Sequence, residues 1–313
     1  MLKQDDYQVW IPQRADPYVI KSDTGYYFTA SVPQYDRIVL RHAPTLDELA
    51  EAEEVTIWQK HASGPMSQHI WAPEMHYLFG AWYIYFAASE VDDIWKLRPY
   101  VLKCLGDDPM QDEWVELGKM KRANDDPFSF ESFSLDATVF EVDSKWYYVW
   151  AEKVGHGKQI SNLYIAEMED ASTLATPQVL LTTPDYDWER VGFWVNEGPA
   201  VIKHEGKIHL TFSASDTGPA YCVGVLTAEL EADLLDPESW TKFNQPIMQS
   251  KPELQLFGPG HNSFTLDEEG RDVIIFHART TDQLICENPL YDPNRHAMKR
   301  LVEWSEDGRM ILQ

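Results

Sequence analysis

The 313-residue sequence has few cysteines and no long hydrophobic run. Its three cysteines, Cys104, Cys222 and Cys286, lie far apart and form no Cys-x-x-Cys pair, which argues against zinc and dithiol redox sites. No segment approaches the ~20 apolar residues of a membrane-spanning helix. The N-terminal stretch MLKQDDYQVWIPQRADP lacks the apolar core of a secretory signal. Together with the sparse thiols, this predicts a cytoplasmic protein.

Basic residues are also scarce. The chain has 26 Lys and Arg against 51 Asp and Glu, which gives a formal net charge of −25. Because such an acidic surface repels phosphate backbones and anionic lipids, we expect neither a nucleic-acid partner nor a membrane partner. A neutral ligand such as an oligosaccharide is not repelled. A homo-oligomer is an open alternative.

Aromatic residues, in contrast, are abundant and occur in a repeated pattern. In five segments a polar residue precedes a short apolar run, and a turn then leads to a strand rich in Tyr, Trp, Ile and Phe, which is typical of hairpins. The segments are ADPYVIKSDTGYYFTAS (15–31), APEMHYLFGAWYIYFAAS (72–89), DATVFEVDSKWYYVWAE (136–152), NEGPAVIKHEGKIHLTFSAS (196–215) and GHNSFTLDEEGRDVIIFHAR (260–279). Aligning them makes five positions equivalent, at a period of about 60 residues. These are Tyr26, Trp82, Trp146, Ile208 and Val273.

Five such units predict an all-β fold, most simply a five-bladed β-propeller. A β-sandwich with similar hairpins is the alternative. Because no linker-like stretch divides the chain, we expect one catalytic domain over residues 1–313, without an accessory β-sandwich. Thr45 and Glu48 in TLDELAEAEE (45–54) predict the capping box of a short connecting helix. VEWSEDGRMIL predicts a closing hairpin with its turn at 306–308.

The predicted propeller would bring together the polar residues that precede the five hairpins. The first strand of each blade lines the central axis, so a residue at its start points toward the mouth of the channel. The five residues at this place are Asp16, Glu74, Asp136, Glu197 and His261. Clustered carboxylates repel one another, so their pKa values separate and supply an acid and a base, as glycoside hydrolysis requires. Such a cluster could instead bind Ca²⁺, although the DxDxDG pattern of a calcium loop is absent.

Five short motifs resemble those of glycoside hydrolase family 43. They occur in the family's order and with family-like spacing over nearly the whole chain: RADP (14–17), WAPEM (71–75), SLDAT (134–138), NEGP (196–199) and GPGHNSF (258–264). The stretch HASGPMSQHIWAPEM (61–75) is more narrowly similar to the exo-acting α-1,5-L-arabinofuranosidases of that family. The resemblance implies a five-bladed propeller and a reaction that inverts the anomeric configuration.

The resemblance also implies roles for the polar residues. By motif, Asp16 matches the general base, Glu197 the general acid, and Asp136 the carboxylate that tunes the acid and orients the substrate. The family motif does not make Glu74 catalytic, so we expect a supporting or structural hydrogen bond there. The histidine that matches His261 lies below the sugar site near an ion or water, which makes His261 a candidate ligand for Ca²⁺ or another axial ion. A core histidine is the alternative, and no cofactor is required for the chemistry.

Four residues are candidate sugar contacts. Trp71 could form an aromatic wall for a furanose, with core packing as the alternative, and Phe133 lies close to the site strand. His69 could hydrogen-bond a sugar hydroxyl or lie on a loop. Arg279, in FHAR, resembles the family arginine that pairs with the central carboxylates, a task that suits its planar guanidinium.

These observations predict an inverting exo-α-L-arabinofuranosidase that releases arabinose from short α-1,5-linked arabino-oligosaccharides. A β-xylosidase of the same family is one alternative, although such enzymes usually carry an additional C-terminal β-sandwich. An endo-arabinanase is another, because loops distinguish an open groove from a closed pocket. A non-catalytic sugar-binding or scaffold propeller is the alternative from a different class, and it predicts the loss of at least one of the three acids.

Overall fold

The protein is built from β-strands, as predicted. The structure is a computed structural model that describes residues 7–153 and 159–312. Within these ranges, short 3₁₀ helices lie in the connections between strands: Asp47–Ala50, Asp187–Glu189, Pro237–Ser239, Pro252–Leu254 and Pro289–Tyr291. No described helix is long and apolar enough to cross a membrane.

The strands follow one another in five groups along the chain. The first group comprises β1 (Ala15–Ser22), β2 (Gly25–Ser31), β3 (Arg37–Ala43) and β4 (Val55–Gln59), and the second β5 (Gln68–Leu78), β6 (Ala81–Glu90), β7 (Asp93–Cys104) and β8 (Trp114–Lys119). The third comprises β9 (Ser134–Val142), β10 (Lys145–Glu152), β11 (Gln159–Asp170), β12 (Thr173–Leu174) and β13 (Val179–Thr182). The fourth comprises β14 (Trp194–His204), β15 (Lys207–Ala214), β16 (Cys222–Glu229) and β17 (Thr241–Lys242). The fifth comprises β18 (Phe257–Leu266), β19 (Asp272–Arg279), β20 (His296–Leu301), β21 (Glu303–Trp304) and β22 (Met310–Ile311).

Antiparallel pairing dominates within each group. The first and second groups form separate four-stranded sheets in sequence order, and β18, β19 and β20 form a three-stranded sheet. The third and fourth groups are joined into one nine-stranded sheet, because β11 pairs in parallel with β14 where Ser161 lies opposite Val195. The first strands of successive groups contact one another, and the circuit closes where β18 contacts β1.

The apolar core lies between neighbouring groups of strands. One cluster joins Leu40 of the first group to Ile84 of the second, and another joins Val149 of the third to Leu210 of the fourth. A further cluster packs Phe28 of β2 against Ile275 of β19, which brings the two ends of the chain together. Because the middle strands are covered on both faces, they are apolar almost throughout instead of alternating.

The predicted repeat register is confirmed in the strands. The five positions aligned from the sequence are each the second residue of the second strand in their group: Tyr26 in β2, Trp82 in β6, Trp146 in β10, Ile208 in β15 and Val273 in β19. The alignment therefore identifies the structural repeat correctly at this place.

Two local predictions need correction or refinement. The predicted helix over 45–54 is only the 3₁₀ turn Asp47–Ala50, and the Thr45 hydroxyl donates to Glu48 Oε2 (2.9 Å) where a capping box would need the Thr45 backbone N–H. The closing hairpin and its turn are confirmed, since Ser305 N donates to Arg309 O (2.9 Å). However, β21 and β22 form a two-stranded sheet of their own instead of extending the sheet of β18, β19 and β20.

Candidate active site

Each innermost strand has a backbone irregularity that turns a residue out of the regular pleat. In β5 and β18 a first such residue has a positive φ near the start of the strand, His69 (50°) and Gly258 (56°). At corresponding places in all five strands the residues with a positive φ are Asp16 (52°), Ala72 (47°), Asp136 (49°), Gly198 (52°) and His261 (44°). The strand pairing shifts register at or opposite each of them. Bulges of this kind re-aim side chains and occur often beside active sites.

The bulged residues differ from the predicted ring of polar residues at two of its five positions. The bulge lies ten residues before the shared repeat position in the first four groups, and there it falls on Ala72 and Gly198 instead of Glu74 and Glu197. Glu197 precedes its bulge directly, whereas Glu74 follows its own by two residues. Glu74 is buried and hydrogen-bonds His76 Nε2 (2.9 Å), in keeping with the structural role expected for it.

Hydrogen bonds from the displaced backbone fix four of the bulges. Asp16 N donates to His277 Nδ1 (3.0 Å), Ala72 N to Ser31 Oγ (2.8 Å), Gly198 N to Asp136 Oδ2 (3.2 Å) and His261 N to Ser213 Oγ (2.7 Å). Each bond joins a strand of one group to a strand of the neighbouring group, close to the acids. Buried backbone N–H groups need such partners, so the bonds stabilise conformations that are otherwise costly.

The bulged ends of the strands enclose a cavity of about 510 Å³, the size of a small-ligand site. It brings Asp16, Asp136 and Glu197 together, and all three side chains are largely buried. Its lining combines these acids with His261, Arg295, Tyr221 and apolar walls: Trp71, Trp95, Phe133, Leu135, Phe193, Val195, Pro289 and Leu290, with Lys153, Ser215, Asp216, Thr217 and Asn288 also present.

Asp16 is surrounded by groups that favour its charged form. Ser31 Oγ donates to Asp16 Oδ2 (2.6 Å), while His261 Nδ1 and an Arg295 guanidinium nitrogen lie 3.3 Å and 3.6 Å from Oδ1. Burial opposes ionisation of Asp16, but attraction to His261 and Arg295 outweighs it and holds the pKa well below its usual range. Asp16 is therefore a carboxylate at neutral pH.

His277 supports Asp16 as a neutral ring. Burial lowers the pKa of His277 to about 3, despite the nearby carboxylate. Since the Asp16 backbone N–H donates to Nδ1, the ring proton lies on Nε2. His277 thus orients Asp16 without adding a charge.

The surroundings of Glu197 and Asp136, in contrast to those of Asp16, favour the protonated form of the carboxyl group. Burial and the nearby Asp16 charge raise the pKa of Glu197 to about 7, although Tyr221 donates a hydrogen bond to Glu197 Oε1 (2.8 Å) that lowers it. The pKa of Asp136 is raised as well, by burial and by repulsion from Glu197 and Asp16. Two interacting acids titrate as a pair, so together they retain a proton near neutral pH.

Two of the predicted sugar contacts line the cavity, and a third lies behind it. Trp71 and Phe133 are both lining residues. His69 is only 1% exposed, and its ring stacks on Trp71 with centroids 4.2 Å apart. His69 also hydrogen-bonds the Ile94 carbonyl (2.8 Å) and the Tyr291 hydroxyl (3.0 Å). It therefore orients the Trp71 ring, and its predicted contact with a sugar hydroxyl is wrong.

The predicted pairing of Arg279 with the central carboxylates is also wrong. Arg279 is buried outside the cavity lining, where it pairs with Asp292 Oδ1 (2.8 Å) and donates to the Pro289 carbonyl (2.8 Å). This pair fixes the segment leading to Arg295, the arginine that lies beside Asp16. Arg295 also donates to the Tyr35 hydroxyl (2.5 Å).

The sequence interpretation missed Arg295 and Tyr221. Both lie in connections between strands, outside the five aligned segments, so the repeat pattern could not indicate them. For Arg295, the only available signal is a basic residue in YDPNRHAM, in a chain with few basic residues.

His261 faces two acids of the site. Its Nδ1 lies 3.3 Å from Asp16 Oδ1 and 3.6 Å from Asp136 Oδ2. Among the described residues, no group of three or more His, Cys, Asp or Glu side chains is arranged to hold a metal ion. The ion expected beside His261 thus has no protein ligand set there, and it stays a prediction.

Known proteins resemble this chain over nearly its whole length. It is 47% identical, over 95% of its residues, to the extracellular exo-α-(1→5)-L-arabinofuranosidase of Streptomyces avermitilis, and covers 60% of that protein. It is 44% identical, over 88% of its residues, to the protein of the same name from Streptomyces chartreusis, and covers 83% of it. The crystal structure of an α-L-arabinofuranosidase from Lactobacillus brevis is 49% identical, with a TM-score of 0.93, and the match covers 100% of this chain and 98% of that one.

The family assignment agrees with the names of these relatives. The chain spans about 60% of the length of the Streptomyces avermitilis relative. The family described as glycosyl hydrolases family 43 matches residues 9–310, a range that contains every acid of the cavity. The chain therefore belongs to glycosyl hydrolase family 43.

Proposed function

We propose that this chain is an inverting exo-α-L-arabinofuranosidase that releases arabinose from short α-1,5-linked arabino-oligosaccharides. The observation that carries the proposal is the pair of opposite pKa shifts in one cavity. Asp16 is held as a carboxylate, while the pKa of Glu197 is raised to about 7. Glycoside hydrolysis with inversion needs a base and a protonated acid of this kind.

In the proposed reaction, Asp16 acts as the general base and Glu197 as the general acid. Asp16 takes a proton from a water molecule as the water oxygen bonds to the anomeric carbon. Glu197 gives its proton to the glycosidic oxygen as the bond between that oxygen and the anomeric carbon breaks. After each turnover Asp16 releases its proton to water and Glu197 takes one up from water. Asp136 lies close by, and the repulsion between Asp136 and Glu197 favours the protonated form of the acid.

The walls of the cavity suit a short neutral substrate. Trp71 and Phe133 offer apolar surface to the face of a furanose, and the half-exposed rings of Trp95 and Phe193 lie at the rim. Sugar hydroxyls can bond to the acids below. The names of the relatives from the two Streptomyces species specify the same linkage and the same exo action.

We also propose that the five strand groups are the blades of a five-bladed propeller within one catalytic domain. The closed circuit of contacts among β1, β5, β9, β14 and β18 supports this arrangement, as does the cluster between the fifth and first groups. The expected cytoplasmic location, however, is wrong: the two Streptomyces relatives are named extracellular enzymes, which points to secretion.

The function can be tested with linear α-1,5-arabino-oligosaccharides of two to six sugars. Exo action predicts arabinose together with the oligosaccharide one sugar shorter from the first time points, whereas a spread of internal products would show endo action. Xylo-oligosaccharides of equal length should remain intact, and their cleavage would favour a β-xylosidase.

The stereochemical part has its own readout. Proton NMR of the first-formed arabinose should show the β-anomer from an α-linked substrate, because water attacks the face opposite the leaving group. A first-formed α-anomer would indicate a covalent intermediate and would refute the assignment of Asp16 as base.

A further inference from the structure

Tyr221 connects the two halves of the proposed catalytic site. Its hydroxyl donates to Glu197 Oε1 (2.8 Å). Its ring lies parallel to the His277 ring, with centroids 5.6 Å apart and an interplanar angle of 1°. His277 in turn accepts the backbone N–H of Asp16 (3.0 Å). One buried tyrosine thus bridges the side chain assigned as acid and the strand that carries the base.

The surrounding backbone is shaped to hold this ring. A Cβ atom on Gly260 would lie 2.3 Å from the Tyr221 ring, so only glycine fits there. Tyr221 N donates to the Gly218 carbonyl (3.1 Å), and a Cβ on Gly258 would lie 2.3 Å from that carbonyl oxygen. The GPG stretch at 258–260 therefore leaves room for Tyr221 and for the turn that carries it.

Several charged or titratable groups surround Glu197. Asp136 comes from β9, Asp16 from β1 and His261 from β18, while Arg295 comes from the segment before β20 and Tyr221 from the segment before β16. Lys153 and Asp216 line the same cavity. Burial raises the pKa of the Tyr221 phenol well above its ordinary value, so Tyr221 remains a hydrogen-bond donor throughout the neutral range.

We propose that Tyr221 is a positioning residue that occupies Glu197 Oε1, so that the proton for the leaving group is carried on Oε2. This inference rests on the proposed function, because it assumes that Glu197 is the acid. A donor at Oε1 leaves Oε2 as the oxygen free to hold a proton and fixes its direction. The stack with His277 keeps this carboxyl in a constant place relative to Asp16.

The proposal has a consequence for the acidity of Glu197. A hydrogen bond from a phenol stabilises a carboxylate more than a neutral carboxyl group, so it lowers the pKa. Replacing Tyr221 by Phe keeps the ring and its stack but removes the donor. The pKa of Glu197 should then rise by about one unit, the size of effect expected from one hydrogen bond to a charged group.

The test is a titration of Glu197 by NMR in protein labelled with ¹³C at the glutamate side-chain carboxyl carbon. Glu197→Gln assigns the signal. Tyr221→Phe should raise the pKa, and 3-fluorotyrosine at position 221, a stronger donor, should lower it. The control is Tyr85→Phe, which removes a buried hydroxyl that donates to the Ala171 carbonyl (2.7 Å), outside the cavity lining, and should leave the titration unchanged.

Kinetics give a second readout. The high-pH limb of kcat requires a protonated acid, so in Tyr221→Phe it should move upward together with the NMR pKa. An unchanged Glu197 titration in both Tyr221 variants would overturn the proposal, as would a fall in kcat with an unchanged pH profile. If the wild-type protein cleaved no arabino-oligosaccharide, the proposed function would fail, while the titration would still report whether Tyr221 controls Glu197.

Discussion

The raised pKa of Glu197 predicts that the neutral variant Glu197→Gln stabilises the protein at alkaline pH. Glutamine has nearly the same shape as glutamate and can still accept the hydrogen bond from Tyr221 through its carbonyl oxygen. The change therefore removes the ability to ionise while preserving the main contact. Because Glu197 repels Asp136, a neutral residue also makes ionisation of Asp136 easier, which acts in the same direction.

The size of the effect follows from the difference between the folded and unfolded pKa values. Folding raises the pKa of Glu197 from 4.5 to about 7. A group with a raised pKa contributes its full stability below the unfolded value and loses it as the pH rises through the folded value. At about 1.4 kcal/mol per unit, wild-type protein loses about 3 kcal/mol between pH 4.5 and pH 8, and Glu197→Gln avoids this loss.

Thermal unfolding at matched scan rates measures the difference. For a chain of this length, 3 kcal/mol corresponds to about 5 °C in Tm. The variant should match wild type near pH 4.5 and exceed it by about that amount at pH 8. Glu306→Gln, in the exposed turn between β21 and β22, removes one carboxylate without a buried site and should show no such pH-dependent gain. A constant offset at all pH values would refute the reasoning.

Three other changes test neighbouring parts of the site. Asp16→Asn removes the buried carboxylate beside Arg295 and should lower the unfolding free energy by about 3–5 kcal/mol at pH 7. Because Asp16 becomes protonated in unfolded wild-type protein in acid, urea titrations should show this difference becoming smaller below about pH 4. Gly198→Ala places a Cβ 3.1 Å from the His261 ring at a φ of +52°, so the urea midpoint should fall by the equivalent of about 1–3 kcal/mol. Phe193→Ala, at the 52%-exposed rim, should raise KM for arabinotriose with little change in Tm.

The hairpin repeat was predictable because its signal is repeated five times. An apolar strand after a turn recurs at Tyr26, Trp82, Trp146, Ile208 and Val273. Each copy therefore supports the alignment of the other four. Comparison of the five copies also located the innermost strands and the approximate positions of their acids. It worked because packing between neighbouring strand groups imposes the same burial on every copy.

The exact placement of the side chains was less predictable, since it depends on local backbone conformation. Glu74 and Glu197 were aligned with Asp16 and Asp136, but the left-handed residues are Ala72 and Gly198. Alanine carries no signal for a positive φ, so its bulge was invisible in the sequence.

The two arginines show a different limit. Arg279 ends the regular strand β19, yet it pairs with Asp292, and Arg295 approaches Asp16 from a connection with no repeat pattern. Only the three-dimensional path of that connection decides which arginine reaches the acid.

The hydrogen bond between Asp16 and His277 has a consequence for the order in which the site forms during synthesis. These residues are 261 positions apart, and Arg295 lies further still along the chain. During synthesis, Asp16 leaves the ribosome before His277 and Arg295, because it precedes both of them in the chain. A nascent chain that lacks the fifth strand group holds the aspartate without the histidine and arginine that keep it ionised and oriented. The proposed hydrolytic activity should therefore appear abruptly once the fifth strand group has been synthesised, which makes it a reporter of the moment when β18 closes against β1.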